Sequence, residues 1–314
     1  MRNLGQSRLF QQNTLASPTS IEGVGIHTGR WVRVNLRPAP PDSGILFRRL
    51  DAGGVEVPAL ASHVCSLELA TTIGRDDVTI STIEHLMAAL QLARVDNAIL
   101  DIDGPEVPIL DGSALPYFRL IEAAGVRPQR ATRKILAITE PVETAIGERR
   151  IRISPYPGLR VSYLLDYAIP SIGRQSLDVR IDGDTVLAEL APARTFALLD
   201  DVRRMQQNGL ALGGTEDNCV VFDDSGPINT TLRYADEPVR HKALDAVGDL
   251  ALIGSPVWGH LEVERGGHLL HYKLIEALQA NSHCWSWVRA ESSQTGAGFE
   301  ITDLASEPKV LVRA

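Results

Sequence analysis

Arg240-His241-Lys242-Ala243-Leu244-Asp245-Ala246-Val247-Gly248-Asp249 is the stretch on which the reading of this chain turns. His241, Asp245 and Asp249 recur every four residues, so on a helix they share one face, while Val239, Leu244, Val247 and Ala251 cover others. Pro238 suits the first turn and Gly254 the position past the end, which predicts a helix from Glu237 to Ile253. Two readings of the polar face compete. A cleft-facing His-x3-Asp pair offers one imidazole nitrogen and one carboxylate oxygen to a single metal ion. An exposed, ion-paired face needs only the attraction between Asp and a charged His one turn away, and is the more ordinary outcome on spacing alone.

A second pattern lies far upstream, at Ser81-Thr-Ile-Glu84-His85. It has the form of a capping box, with Glu84 reaching back to the Ser81 N–H and His85 left on the surface of a first helical turn. Read functionally, His85 is a third ligand and Glu84 a base beside it, since a catalytic zinc site wants three protein ligands and an open position. His-Glu-x-x-His, the signature of zinc peptidases, is absent. His268 follows a Gly-Gly turn, and a protonated His paired with a buried Asp such as Asp249 is fit to act as a general acid. His271, His283, His260 and His63 lack comparable company. Thr195, in Arg194-Thr195-Phe196, suits either a helix N-cap or a hydroxyl aimed at an oxyanion. Gly23-Val-Gly25-Ile-His27-Thr-Gly29 lacks both the Lys-Ser/Thr of a P-loop and the GxGxxG spacing, and reads as a tight turn with His27 facing a cleft.

Around these patterns the chain alternates short strands with helices. Strands are expected at 31–36, 45–47, 78–80, 97–102, 135–139, 150–154, 160–166, 220–222 and 257–263. Helices are expected at 81–95, 115–124, 197–208 and 269–280, besides the one already described. The polar, basic run Arg127-Pro-Gln-Arg-Ala-Thr-Arg-Lys134 is taken as a boundary between residues 1–129 and 130–314. The fold class is α+β, with two related domains, each a small, mainly antiparallel sheet packed against helices.

With 314 residues, 44% hydrophobic and 22% charged, the chain is long enough to bury the cores of two domains. Its net charge of −8 denies it the broad positive field that nucleic acid binding uses, so no nucleic-acid partner is expected. The three cysteines, Cys65, Cys219 and Cys284, are scattered and form no CxxC, against both a disulfide framework and a cysteine zinc cage and in favour of a reducing, cytoplasmic setting. No apolar run is long enough for a transmembrane segment. The first residues carry Arg2 and Arg8 without an apolar stretch, so no secretory leader is expected.

Taken together and in order, several motifs resemble one family, the zinc-dependent UDP-3-O-acyl-N-acetylglucosamine deacetylases of lipid A biosynthesis in Gram-negative bacteria. They are Gly23-Val-Gly-Ile-His-Thr-Gly29, Leu36-Arg-Pro-Ala-Pro40, Ser81-Thr-Ile-Glu-His-Leu86, Pro108-Ile-Leu-Asp-Gly-Ser113, Ala193-Arg-Thr-Phe196, Leu212-Gly-Gly214, Arg240 to Asp249, and Gly267-His268. The resemblance runs from Gln12 to Leu278. It implies an active site between the two domains, with Zn²⁺ held by His85, His241 and Asp245. It implies Glu84 as general base, His268 supported by Asp249 as acid, and Thr195 beside the oxyanion. Lys242 and Phe196 would meet the nucleotide sugar, while Val202 and the Leu210 to Val221 stretch, including Gly214 and Thr215, would line a passage for the acyl chain. The implied partner is a small molecule, an acylated UDP-amino sugar, acted on by a monomer. Glu216 and Glu68 depart from the family's pattern by placing charge near that passage. Two other classes stay open: a non-catalytic sugar- or nucleotide-binding protein on the same fold, and a hydrolase of another N-acyl sugar. Two His and one carboxylate also suit ferrous iron.

Overall fold

The computed structural model describes residues 10–181, 184–228, 230–292, 299–304 and 311. It is a mixed α+β molecule. In the first half, Trp31–Pro38 alternates in burial, with Val32, Val34 and Leu36 turned inward, and lies inside a five-stranded sheet. The sheet order is Thr19–Val24, Trp31–Pro38, Ala98–Ile102, Ile45–Arg49, Val55–Pro58, antiparallel except where Ile45–Arg49 meets Ala98–Ile102. A three-stranded sheet of Val64–Ser66, Thr72–Arg75 and Val78–Ile80 precedes helix α1, Glu84–Leu92. Helix α2, Leu115–Ala124, stops at Gly125, whose φ of +76° few other residues accept.

The second half is built on an eight-stranded sheet. Its central strand, Val257–Glu264, pairs in parallel with Leu159–Asp166 and Ile135–Ile138 and antiparallel with Arg149–Ser154. Both Leu159–Asp166 and Val257–Glu264 alternate buried and half-buried positions along their full length. Helix α3 is Asp184–Leu190, α4 is Leu199–Gln207, α5 is Glu237–Leu250 and α6 is His268–Ala280. Helices α5 and α6 cover the sheet, and α1 packs directly on α5. Buried apolar side chains from both halves join in one contiguous core.

Most of the run 127–134 belongs to a strand, Val126–Thr132, paired with Gln11–Leu15, so its polar side chains flank a backbone ladder. Two local expectations are corrected. The helix expected from Ala197 begins at Leu199, because Phe196–Leu198 pairs in parallel with Val220–Phe222. The helix expected from Ser81 begins at Glu84, because Ser81 is bridged to Glu106 and Thr82 turns the chain at φ +59°. That left-handed turn is unfavourable for a β-branched residue, and the Thr82 hydroxyl offsets it by donating to Glu106 Oε1 at 3.1 Å.

Candidate active site

Helix α5 is buried on nearly every side, and its polar face is buried too. His241, Asp245 and Asp249 are 1%, 2% and 3% exposed, which overturns the solvated ion-pair reading of that face. Gly248 explains how so polar a face is covered: a Cβ there would stand 2.1 Å from the Glu84 carbonyl oxygen, so only glycine lets the start of α1 come down on α5. That contact delivers Glu84 and His85 to the α5 residues. The capping box fails for the same reason. Ile83 occupies the N-cap without a side-chain bond, and the Glu84 carboxylate turns inward, where Oε2 accepts the Thr71 N–H at 3.1 Å.

His85 Nε2 and His241 Nε2 face each other at 3.3 Å, and Asp245 Oδ1 lies 3.6 Å from the first and 3.3 Å from the second. His241 Nδ1–H donates to the Ala193 carbonyl at 3.0 Å, which leaves the Nε2 lone pair aimed at the same point. Burial drives the His241 pKa down to about 3, against the opposing pull of Asp245, so this ring is neutral and able to donate an electron pair. Burial would raise the Asp245 pKa, but the charged Lys242 ammonium bonded to it helps hold the carboxyl well below its ordinary value. Asp245 Oδ2 accepts from Lys242 Nζ at 2.9 Å, while Oδ1 is buried with no hydrogen-bond partner among the described residues. A buried carboxylate oxygen left unpaired beside two convergent imidazole nitrogens is costly, and a cation at that point removes the cost. The donor set of two nitrogens and one oxygen, mutually within 4.8 Å, fits a divalent metal.

A second cluster of metal-ligating type, Asp249 with His268 and His271, is satisfied internally. Asp249 Oδ2 accepts His268 Nδ1–H at 2.8 Å and His271 Nδ1–H at 2.7 Å, while Oδ1 accepts the Thr71 hydroxyl at 2.6 Å. His271, which the sequence reading left without company, therefore shares the carboxylate oxygen used by His268. Its Nε2 also lies 3.4 Å from the Tyr163 hydroxyl. Burial would lower the His268 pKa, but Asp249 outweighs it and holds the imidazole up at about 9. Glu84 is raised by burial, an effect only partly opposed by His268 and His85. Its Oε1 stands 3.9 Å from His268 Nε2. The site thus holds a carboxyl shifted upward facing an imidazole shifted upward, the pairing that acid–base chemistry at neutral pH requires.

Thr195 enters from the segment before α4. Arg194, 6% exposed, donates from its backbone N–H and its guanidinium to Glu237 at the head of α5, which clamps Ala193, Thr195 and Phe196 over His241. Gly112 allows the other flank to close. Its carbonyl accepts the Thr195 N–H at 2.8 Å, and a Cβ on it would stand 2.2 Å from the Asn218 carbonyl. A strand follows Thr195, so the N-cap reading of its hydroxyl does not hold. A cavity of about 820 Å³ opens from here. Glu84, His85, Thr195, Phe196, Val202, Gly214 and Thr215 all line it, together with His27, Glu68 and Glu216. Lys242 does not line it: its ammonium is engaged by Asp245 and stands 5.7 Å over the Phe196 ring. The glycine-rich turn is shaped by Glu106, which accepts the His27 and Thr28 N–H groups, and the loop at Leu212-Gly213 docks on it through the His27 and Ile26 carbonyls.

The model of the UDP-3-O-acyl N-acetylglycosamine deacetylase family (LpxC) matches residues 12–280. A UDP-3-O-acyl-N-acetylglucosamine deacetylase of Syntrophotalea carbinolica is 42% identical over 300 residues, covering 95% of this chain and 97% of the relative. The protein of that name from Myxococcus xanthus is 43% identical over 295 residues, covering 92% and 94%. One from Acidithiobacillus ferrooxidans is 40% identical over 299 residues, covering 94% and 98%. This chain belongs to the UDP-3-O-acyl N-acetylglycosamine deacetylase family.

Proposed function

We propose that this chain hydrolyses the N-acetyl group of UDP-3-O-acyl-N-acetylglucosamine, releasing acetate and UDP-3-O-acyl-glucosamine for lipid A biosynthesis. The observation that carries the reading is the unpartnered, buried Asp245 Oδ1 facing the Nε2 atoms of His85 and His241. These three side chains would hold a zinc ion, which when bound supplies a Lewis acid that acidifies water and polarises the amide carbonyl.

The protein's own groups move the protons. Glu84, raised by burial, takes a proton from the water that attacks the acetamide carbon. The Thr195 hydroxyl, on the cavity wall, donates toward the oxygen that gains negative charge. The carbon–nitrogen bond then breaks, and His268 delivers its proton to the departing amine, which would otherwise leave poorly. Asp249 keeps that imidazole protonated and oriented. Phe196 and Lys242 would border the nucleotide sugar, while Val202, Gly214 and Thr215 would border the acyl chain. The chain would act as a cytoplasmic monomer, with residues 1–129 and 130–314 as the two units flanking the site. Among the described residues, no helix is long and apolar enough to cross a membrane.

Wild-type protein and His241→Ala are to be compared for bound metal by elemental analysis and for acetate release from a panel of UDP-sugars with and without the 3-O-acyl group. The expected result is zinc in the wild type only, and release only from the acylated N-acetylglucosamine substrate. Full zinc retention and undiminished deacetylation by His241→Ala would reject the reading.

A further inference from the structure

One fully buried residue outside the set anticipated from sequence touches the base, the acid and the group that orients the acid. Thr71 is 0% exposed and lies just before the strand Thr72–Arg75. Its N–H donates to Glu84 Oε2 at 3.1 Å, and its hydroxyl donates to Asp249 Oδ1 at 2.6 Å. Its Oγ1 stands 3.2 Å from His268 Nδ1 and so accepts a share of that proton. Its carbonyl accepts the Ile83 N–H at 3.3 Å, which ties it to the entrance of α1.

We propose that Thr71 is a positioning residue for proton transfer, a role that rests on the deacetylase reading above. Asp249 has two oxygens and three donors to serve. With His268 and His271 both on Oδ2, the Thr71 hydroxyl is the described donor to Oδ1. Removing that hydroxyl leaves Oδ1 buried and unsatisfied, so the carboxylate gains by rotating and the His268 ring loses its fixed direction. The Thr71 N–H in turn occupies Glu84 Oε2 and leaves Oε1 as the oxygen nearer His268 Nε2, at 3.9 Å. One rigid residue thus sets the angle between the two groups that must act on the same substrate in sequence.

The test compares zinc-loaded wild type with Thr71→Val, which keeps the shape but not the hydroxyl, Thr71→Ala, which removes the hydroxyl and the methyl, and Thr71→Ser, which keeps the hydroxyl. Steady-state deacetylation, zinc content and melting temperature are measured for each. Losing an outer-shell partner of this kind costs about 10–100-fold. The expected result is a fall of that size in kcat for Val and Ala with KM and zinc content unchanged, and recovery to within about threefold of wild type in Ser. The proposal is overturned if Val and Ala retain kcat, if Ser falls as far as they do, or if the loss follows loss of zinc. A wild type that releases no acetate sinks the deacetylase reading instead, which separates the two failures.

Discussion

His268 and His271 share a single oxygen of Asp249, yet only His268 stands beside Glu84. Asp249 sets a pH dependence through His268. The His268 pKa is raised from 6.5 to about 9, so the imidazolium is present at neutral pH and is lost as the pH rises through that value. The stabilisation from its pairing is complete below 6.5 and disappears over the same rise. Deacetylation is therefore expected to hold up to pH near 9 and fall above it. In Asp249→Asn the alkaline limb moves to lower pH, because burial then lowers the imidazole pKa unopposed by the carboxylate. A pH profile of kcat/KM for the two proteins checks this, and an unmoved limb in the variant would assign it to another group.

At the level of elements, Gly248 decides whether α1 and α5 can meet. Gly248→Ala drives a methyl against the Glu84 backbone, and a clash with backbone cannot be relieved by a rotamer change. We expect a loss of about 1–3 kcal/mol, read as a lower midpoint in denaturant, together with a drop in kcat as Glu84 and His85 are pushed off α5. Most helices were legible from periodicity and punctuation: α2 and α6 lie within a residue of their expected bounds, and α5 starts at Glu237 as Pro238 places it but ends at Leu250, before a 3₁₀ turn over Ala251–Ile253. Strands such as Gln11–Leu15, Val126–Thr132 and Phe196–Leu198 were not, because each is made a strand by a distant partner rather than by its own pattern. The capping box at Ser81 misled for a related reason. Its spacing is correct, but Glu106 claims the turn and Thr71 claims the Glu84 carboxylate.

On the scale of the whole molecule, the cavity wall carries two carboxylates. Glu68 and Glu216 both line the 820 Å³ cavity, and both are exposed. Apolar chain gains about 0.8 kcal/mol for each methylene buried, and a carboxylate beside it withdraws part of that gain by keeping water near. The double variant Glu68→Leu, Glu216→Leu is expected to raise the ratio of kcat/KM for long over short 3-O-acyl substrates by about tenfold, on the scale of one or two buried methylenes. Competition between two acyl lengths in one reaction measures this, and an unchanged ratio would mean that the acyl chain runs elsewhere.

The α+β class, the long α5 helix and its repeating His-Asp-Asp face were readable along the chain, because they rest on local periodicity and on Pro and Gly at helix ends. The family resemblance carried in its motifs named the residues of interest, but their spacing alone favoured a solvated face. Packing in three dimensions buries that face, turns Glu84 inward and brings Thr71 and His271 to Asp249. The physical reason is that these residues lie up to 200 positions apart along the chain and are brought together by a helix contact that a single missing side chain, at Gly248, permits.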